Sequence, residues 1–294
     1  MTSLPWNRIN TGLLLLVLLS VIGLFASRAY GGPLDPPGPP SSTLPQVEPR
    51  SPIPPVGWDG ASAITIGSSG SYFLTRNLTQ VPITIAAENV TFDLSGFTLT
   101  GSSGQNAIAI LTGTKHNIVV RNGTLIGAGG SVGVTASGVG RSTFSDLQIS
   151  GWTIGLVIGT GNTVLRVDSH DNTSEGIRVQ NSADFGGSIE DSNFSQNPIG
   201  VELLGNNVTV RDSVMDANSS DGVAMSGSWN EVTNSRMVGN GIYGATMTGN
   251  RNVLVNNQID GNVTAPFFLS GSGNIAGPIS PATGTNPAEN IGFP

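Results

Sequence analysis

Between Gly155 and Leu269 the chain repeats a short signature at a nearly constant step. Gly155-Leu156-Val157-Ile158, Gly176-Ile177-Arg178-Val179, Gly200-Val201-Glu202-Leu203, Gly222-Val223-Ala224-Met225 and Gly244-Ala245-Thr246-Met247 lead to Pro266-Phe267-Phe268-Leu269, with steps of 21, 24, 22, 22 and 22 residues. A second column, Asn172, Asn197, Asn218, Asn240 and Asn262, runs ahead of it. Three residues before the last four of these stands an apolar residue (Phe194, Met215, Met237, Ile259), and three before that an Asp or Asn (Asp191, Asp212, Asn234, Asn256). Self-similarity at a fixed period constrains a chain to a solenoid, because one repeat can bury its apolar face only against its neighbours.

Within the repeat, alternations such as Val208-Thr209-Val210 are broken by Gly, Asn, Ser and Asp, and no ten-residue amphipathic run occurs. That is the pattern of strands and bends. Some 22 residues accommodate three short strands and three bends, whereas a left-handed hexapeptide coil takes about eighteen. The expectation is an all-β fold: a right-handed, single-stranded parallel β-helix of about eight coils, in agreement with crossover handedness. Equivalent residues of adjacent coils then lie about 4.8 Å apart. An inward Asn column at that spacing passes amide hydrogen bonds along the axis. Glycine in the next column is expected to supply the positive φ of a tight corner.

The rest of the chain divides by composition. In residues 1–29, Arg8 precedes an apolar run from Gly12 to Ala26, and Ser27-Arg28-Ala29 places small residues before Tyr30, the layout of a secretory signal. The run is short of the twenty or so residues of a membrane span, so membrane attachment is expected only if this segment is retained. Residues 30–56 read as a Pro-rich linker, 57–277 as the parallel β-helix, and 278–294 as a Gly/Pro/Asn-rich tail. The expected location is secreted, periplasmic or cell-surface, and the expected state a monomer. A net charge of −7 with a single lysine, Lys115, leaves no basic patch for nucleic acid or anionic lipid. The absence of cysteine excludes disulfides and thiolate metal sites.

Gly70-Ser71-Tyr72-Phe73-Leu74-Thr75-Arg76-Asn77-Leu78, then Asn89-Val90-Thr91-Phe92-Asp93-Leu94-Ser95-Gly96-Phe97, and the later Asn–Gly coils resemble secreted bacterial right-handed parallel β-helix repeat proteins of the pectate-lyase-like superfamily. The resemblance covers about Ala61 to Gly277 and implies the fold. For activity it implies only a range, from pectate lyases, polygalacturonases and mannuronan epimerases to a periplasmic maturation factor of nitrous-oxide reductase. Fold does not decide function here.

One coil departs from the pattern. In the run from Thr163 to Asn172, Arg166 takes the Asp/Asn place and Ser169 the apolar place, Glu175 and Arg178 follow, and Trp152 stands where the preceding coil should have Asn. Local departures of this kind mark candidate sites. Asp168-Ser169-His170-Asp171 is also similar to the Asp-Pro-His-Asp motif of mannuronan epimerases, with Ser169 in the Pro place. Uronate lyase or epimerase chemistry needs a group that neutralises the sugar carboxylate, a base and an acid. Arg166 or Arg178 suits the first role and His170 the second, so Arg166, Asp168, His170 and Asp171 form the candidate catalytic set. No nearby Tyr or Lys supplies the acid. The competing reading makes His170-Asp171-Asn172 an ordinary polar turn, the slot filled elsewhere by Asp216-Ala217-Asn218 and Val238-Gly239-Asn240.

Candidate substrate contacts are Trp152, Arg178, Glu190, Asp191 and Asp212, with Trp229 and Tyr243 as further rings able to stack on a sugar. Asp191 and Asp212 share a column one strand spacing apart. Carboxylates about 5 Å apart suit retaining glycoside hydrolysis or Ca²⁺ held through oxygen; a column continued by Asn234 and Asn256 equally suits a hydrogen-bonding ladder. His116 and His170, the only two histidines, are too few and too separated for a first-row metal centre. No cofactor is expected, with Ca²⁺ the one ion that the carboxylate column could hold. Two functions stay open: a polysaccharide-binding or polysaccharide-processing protein, of uronate lyase or epimerase type if catalytic, and a non-catalytic structural or adhesive surface module.

Overall fold

The computed structural model describes residues 49–111, 115–181, 186–277, 279–281 and 290–292. The expected signal segment, and the expected linker as far as residue 48, lie outside the described residues.

Every coil repeats one path. In one of them the chain runs through a first arm, Glu231–Thr233, bends at Asn234, and runs through a second arm, Arg236–Val238. It then turns through Asn240 into a third arm, Tyr243–Met247, and returns past Asn252 to the next first arm, Val253–Val255. All strand pairs among the described residues are parallel: the third arms form a ten-stranded sheet from Ile64–Ile66 to Ala265–Leu269, the first arms and the earlier second arms form a thirteen-stranded sheet that begins at Ser51–Ile53, and the second arms Arg236–Val238 and Gln258–Asp260 lie in a four-stranded sheet. The stack therefore has about ten coils rather than eight. The difference lies at the start, where Ile64–Ile66 pairs in register with Ile83–Ile85 as a full coil. Nine spacings of about 4.8 Å put the terminal coils about 43 Å apart.

The sheet also extends past the expected boundaries. Ser51–Ile53 pairs with Gly70–Leu74, inside the stretch read as linker. In the stretch read as tail, Asn290–Gly292 pairs with Ile279–Pro281 and meets Gln258–Asp260.

Alternation with period two sends one set of side chains inward. On the first arms, Val120, Phe144, Val164, Ile189, Val210, Val232 and Leu254 stand in register along the axis, all buried. Phe194, Met215, Met237 and Ile259 do the same for the second arms. Each such side chain contributes roughly 1.5–3 kcal/mol on burial, but only because the next coil caps it.

Bends expose backbone donors to a dry interior, and each of the three bends has its own ladder to satisfy them. The expected one is present. The backbone N–H of Asn172, Asn197, Asn218 and Asn240 donates to the side-chain Oδ1 of the next Asn in the column at 2.9–3.0 Å. Amide-to-amide bonds at 2.9–3.1 Å join Asn172 to Asn197, Asn218 to Asn240 and Asn240 to Asn262. A second ladder, Ser192, Ser213, Ser235 and Asn257, passes backbone N–H to side-chain oxygen behind the first bend. A third, Asn230, Asn252 and Asn274, does so at the return to the first arm.

The glycine column works differently from the expectation. Gly155, Gly176, Gly200, Gly222 and Gly244 do not have positive φ. Instead, a Cβ on any of them would fall 2.5–2.7 Å from a backbone oxygen of the following coil. Glycine is there so that two backbones can touch.

Candidate functional site

Positive φ belongs to another column, the bend between first and second arms. Asn122, Asp146, Arg166, Asp191, Asp212, Asn234 and Asn256 all have φ between 49° and 60°. The left-handed conformation costs most L-residues about 1–2 kcal/mol, and Asn and Asp tolerate it through local hydrogen bonding. This is the physical content of the Asp/Asn column: the residues are selected for backbone shape, and their side chains stand exposed. Arg166 is the exception in chemistry, a long cation held at φ 51°.

Beside this column runs a second outward row on the second arms: Thr124, Gln148, Asp168, Asn193, Val214, Arg236 and Gln258, in parallel register. Between the two rows lie three depressions of about 360, 480 and 430 Å³. Arg166 and Asp168 line both the first and the second; Asp212 and Val214 line both the second and the third. They are successive reaches of one open groove that follows the solenoid axis.

Its charges are largely paired. Arg166 donates from Nε and Nη2 to the two carboxylate oxygens of Asp146 at 2.7 and 3.0 Å. That bond is the main cause holding the Asp146 carboxyl below its ordinary range, against a smaller opposing effect of burial. Asp168 accepts from Asn193 Nδ2 at 2.8 Å. Arg236 faces Asp216 at 2.6 Å, and Arg211 faces Asp212 at 3.4 Å. The Asp191 carboxylate makes no hydrogen bond or ion pair among the described residues, and the charge of Arg166 is felt from the neighbouring coil.

The groove gathers some of the residues singled out from sequence and disperses others. Arg166, Asp168, Asp191 and Asp212 line it together. His170 lies two residues beyond Asp168 on the same strand, Thr163–His170, outside the groove lining, and its Nδ1 is 2.8 Å from Asp171 Oδ2. Asp171 has φ 54° in a bend where other coils place Gly151, Gln196, Ala217, Gly239 and Gly261, all with positive φ. The turn reading accounts for it. Glu190 sits on a first arm and is held by Arg211. Arg178 is on the ten-stranded sheet, between Glu175 at 2.5 Å and Glu202 at 2.6 Å, away from the groove.

Trp152 is corrected outright. It is fully buried, its Nε1 donates to the Leu125 carbonyl at 3.3 Å, and its ring fills space that a Cβ on Gly101 or Gly127 would occupy. It cannot stack on a sugar. Ser169 has a similar explanation: it is fully buried, donates to the Gly176 carbonyl at 2.8 Å and accepts from Asn172 Nδ2 at 3.1 Å. Two of the departures that marked this coil are therefore interior packing. Sequence reasoning missed Asp146, Gln148, Asn193, Val214 and Arg236. Carrying the Asp/Asn column upstream to Asp146 and Asn122 would have found the first reach of the groove. Among the described residues no group of three or more His, Asp or Glu side chains gathers to hold a metal ion.

Comparison with known proteins agrees with this architecture. The Dettilon tailspike protein superposes with a TM-score of 0.50 at 10% identity, covering 76% of this chain and 60% of its own; the chain thus spans less than two thirds of the tailspike's length. The A-module of the Azotobacter vinelandii mannuronan C-5 epimerase AlgE4 gives a TM-score of 0.39 at 13% identity, covering 76% of this chain and 87% of the module. A mutant of the periplasmic alginate epimerase AlgG gives 0.44 at 10% identity, covering 79% and 77%. No curated protein sequence matches the chain. Residues 132–277 match the family model described as "Right handed beta helix region", and with the parallel coils seen throughout it the described body has the right-handed parallel β-helix fold.

Proposed function

We propose that the chain binds an extended polysaccharide in the groove between the first and second arms, outside the cytoplasm, and does not turn it over. The observation that carries this reading is the continuity of the groove across successive coils. Each coil adds one bend side chain and one second-arm side chain, nearly all of them polar, at a strand spacing of about 4.8 Å that is comparable to one sugar ring of an extended glycan. Polar groups repeated along an open furrow suit a repeating, hydroxyl-rich ligand better than a compact one. Binding without turnover is supported by the state of the candidate catalytic groups. The Arg166 fork is engaged by Asp146, and His170 stands outside the groove. The two described tyrosines, Tyr72 and Tyr243, lie on the Gly70–Leu74 and Tyr243–Met247 strands, away from the Thr163–His170 strand.

Affinity electrophoresis and calorimetry against a panel of soluble polysaccharides test the proposal. Val214→Trp fills the junction of the second and third depressions from an outward position, and should weaken binding at least tenfold without changing the thermal melt. Unaltered binding in that variant would move the site elsewhere. A second reading, uronate turnover, draws on one observation: Arg166, Asp168 and His170 alternate outward along a single strand. Ultraviolet absorbance of unsaturated uronate products, present with wild type and lost in His170→Ala, would establish it.

A further inference from the structure

We infer that the groove is built for a glycan without charged groups and turns away polyuronates, an inference that rests on the groove binding proposed above. The charged side chains lining the three depressions are Asp146, Asp168, Asp191 and Asp212 against Arg166 and Arg236. Four carboxylates and two guanidinium groups leave two negative charges, on a chain whose net charge is −7.

The two cations are also committed. Arg166 spends its fork on Asp146, and Arg236 faces Asp216 at 2.6 Å. A sugar carboxylate is best recognised by an open, bidentate guanidinium, and the groove presents none. A polyuronate lying along the axis would carry a carboxylate on every ring, opposite a bend column whose consecutive members include Asp191 and Asp212. Like charges set face to face along a shared axis reject a ligand, a discrimination by repulsion. What remains for recognition is neutral: Asn122, Thr124, Gln148, Asn193, Asn234 and Gln258 offer both donors and acceptors, the match for hydroxyl and acetamido groups.

The decisive experiment reverses the charge. Arg166 already occupies this column at φ 51°, so the double variant Asp191→Arg/Asp212→Arg asks the bend to accept nothing new. It changes the groove from two negative charges to two positive. Exposed charge pairs each shift affinity by roughly 1.5- to 5-fold, so the variant should gain roughly tenfold or more in binding polygalacturonate, and lose that gain in high salt. Wild type should show no measurable binding to polygalacturonate, with either EDTA or Ca²⁺ present. Polygalacturonate binding by wild type in either condition, or no gain in the folded double variant, overturns the inference and leaves the groove reading standing. Adding Val214→Trp to the double variant separates the two ideas. The gain should disappear; if it persists, the polymer is not in the groove and both readings fall.

Discussion

Asn240→Ala is the substitution that most directly tests how this stack is held together. Asn240 is fully buried, and its Oδ1 accepts from the backbone N–H of Asn218 at 3.0 Å and from Asn218 Nδ2 at 3.1 Å. Its own Nδ2 donates to Asn262 Oδ1 at 2.9 Å, as does its backbone N–H. Truncation to alanine deletes the three side-chain bonds and keeps the fourth. The damage is unequal among the partners. Asn262 is only part-buried and can take water in exchange, whereas Asn218 is 1% exposed and is left with two donors facing nothing. A buried orphan costs about 1–3 kcal/mol, so the loss should be about 2–6 kcal/mol. Asn256→Ala is the matched control: an exposed bend residue at φ 56° whose alanine replacement should cost only about 1 kcal/mol through backbone strain. Urea unfolding with linear extrapolation measures both. Amide hydrogen exchange adds a local readout, since the Asn218 N–H should lose protection in Asn240→Ala and keep it in Asn256→Ala. Equal costs for the two variants, with Asn218 still protected, would refute the argument that the ladder exists to satisfy buried donors.

Further outcomes follow from the same geometry. Gly222→Ala drives a Cβ to 2.6 Å from the Gly244 carbonyl oxygen and should cost about 1–3 kcal/mol, whereas Gly239→Asn, at φ 69° with open space around it, should be close to neutral by thermal melting. Trp152→Ala should destabilise by about 3–5 kcal/mol by leaving a cavity, while the milder Trp152→Phe should retain glycan binding in affinity gels. Asp146 has a folded-state pKa lowered chiefly by its hydrogen bond from Arg166. Its contribution to stability is therefore present above the unfolded value of about 3.9 and is lost as pH falls through the lower folded value. Solvent screening keeps that contribution small. The difference in melting temperature between wild type and Asp146→Asn should accordingly be present at neutral pH and close in strong acid.

The architecture was legible because its determinants are periodic. Asn218, Asn240 and Asn262 recur every 22 residues, and any chain with that recurrence places them in contact when it coils. Roles within the repeat were harder to assign, because one residue type serves different physics in different columns. Glycine at Gly200 and Gly222 answers a close approach of two backbones, while Gly239 answers positive φ; sequence alone shows glycine in both. Asp212 and Asn218 are both Asx-type residues six positions apart. The first is an exposed bend and the second an interior rung. The serine ladder of Ser192, Ser213 and Ser235 carries no distinctive sequence signal, because serine is abundant everywhere in the chain. Trp152 and Ser169 marked their coil as exceptional, and correctly so, but the exception is one of volume: an indole enlarged at one level and an apolar side chain given up at the next. The groove is not legible in the sequence, because Asn193, Val214 and Arg236 share no residue type and are linked only by facing the same way.

The bend between first and second arms is made once per coil and leans on no residue outside its own level and the two beside it. Length is thus an adjustable dimension of this protein. Duplicating or excising one whole coil in the regular stretch after Gly200 would extend or shorten the furrow by a single rung and leave the remaining levels intact. The length of surface presented along the axis becomes a matter of gene arithmetic, independent of the side chains that line each level.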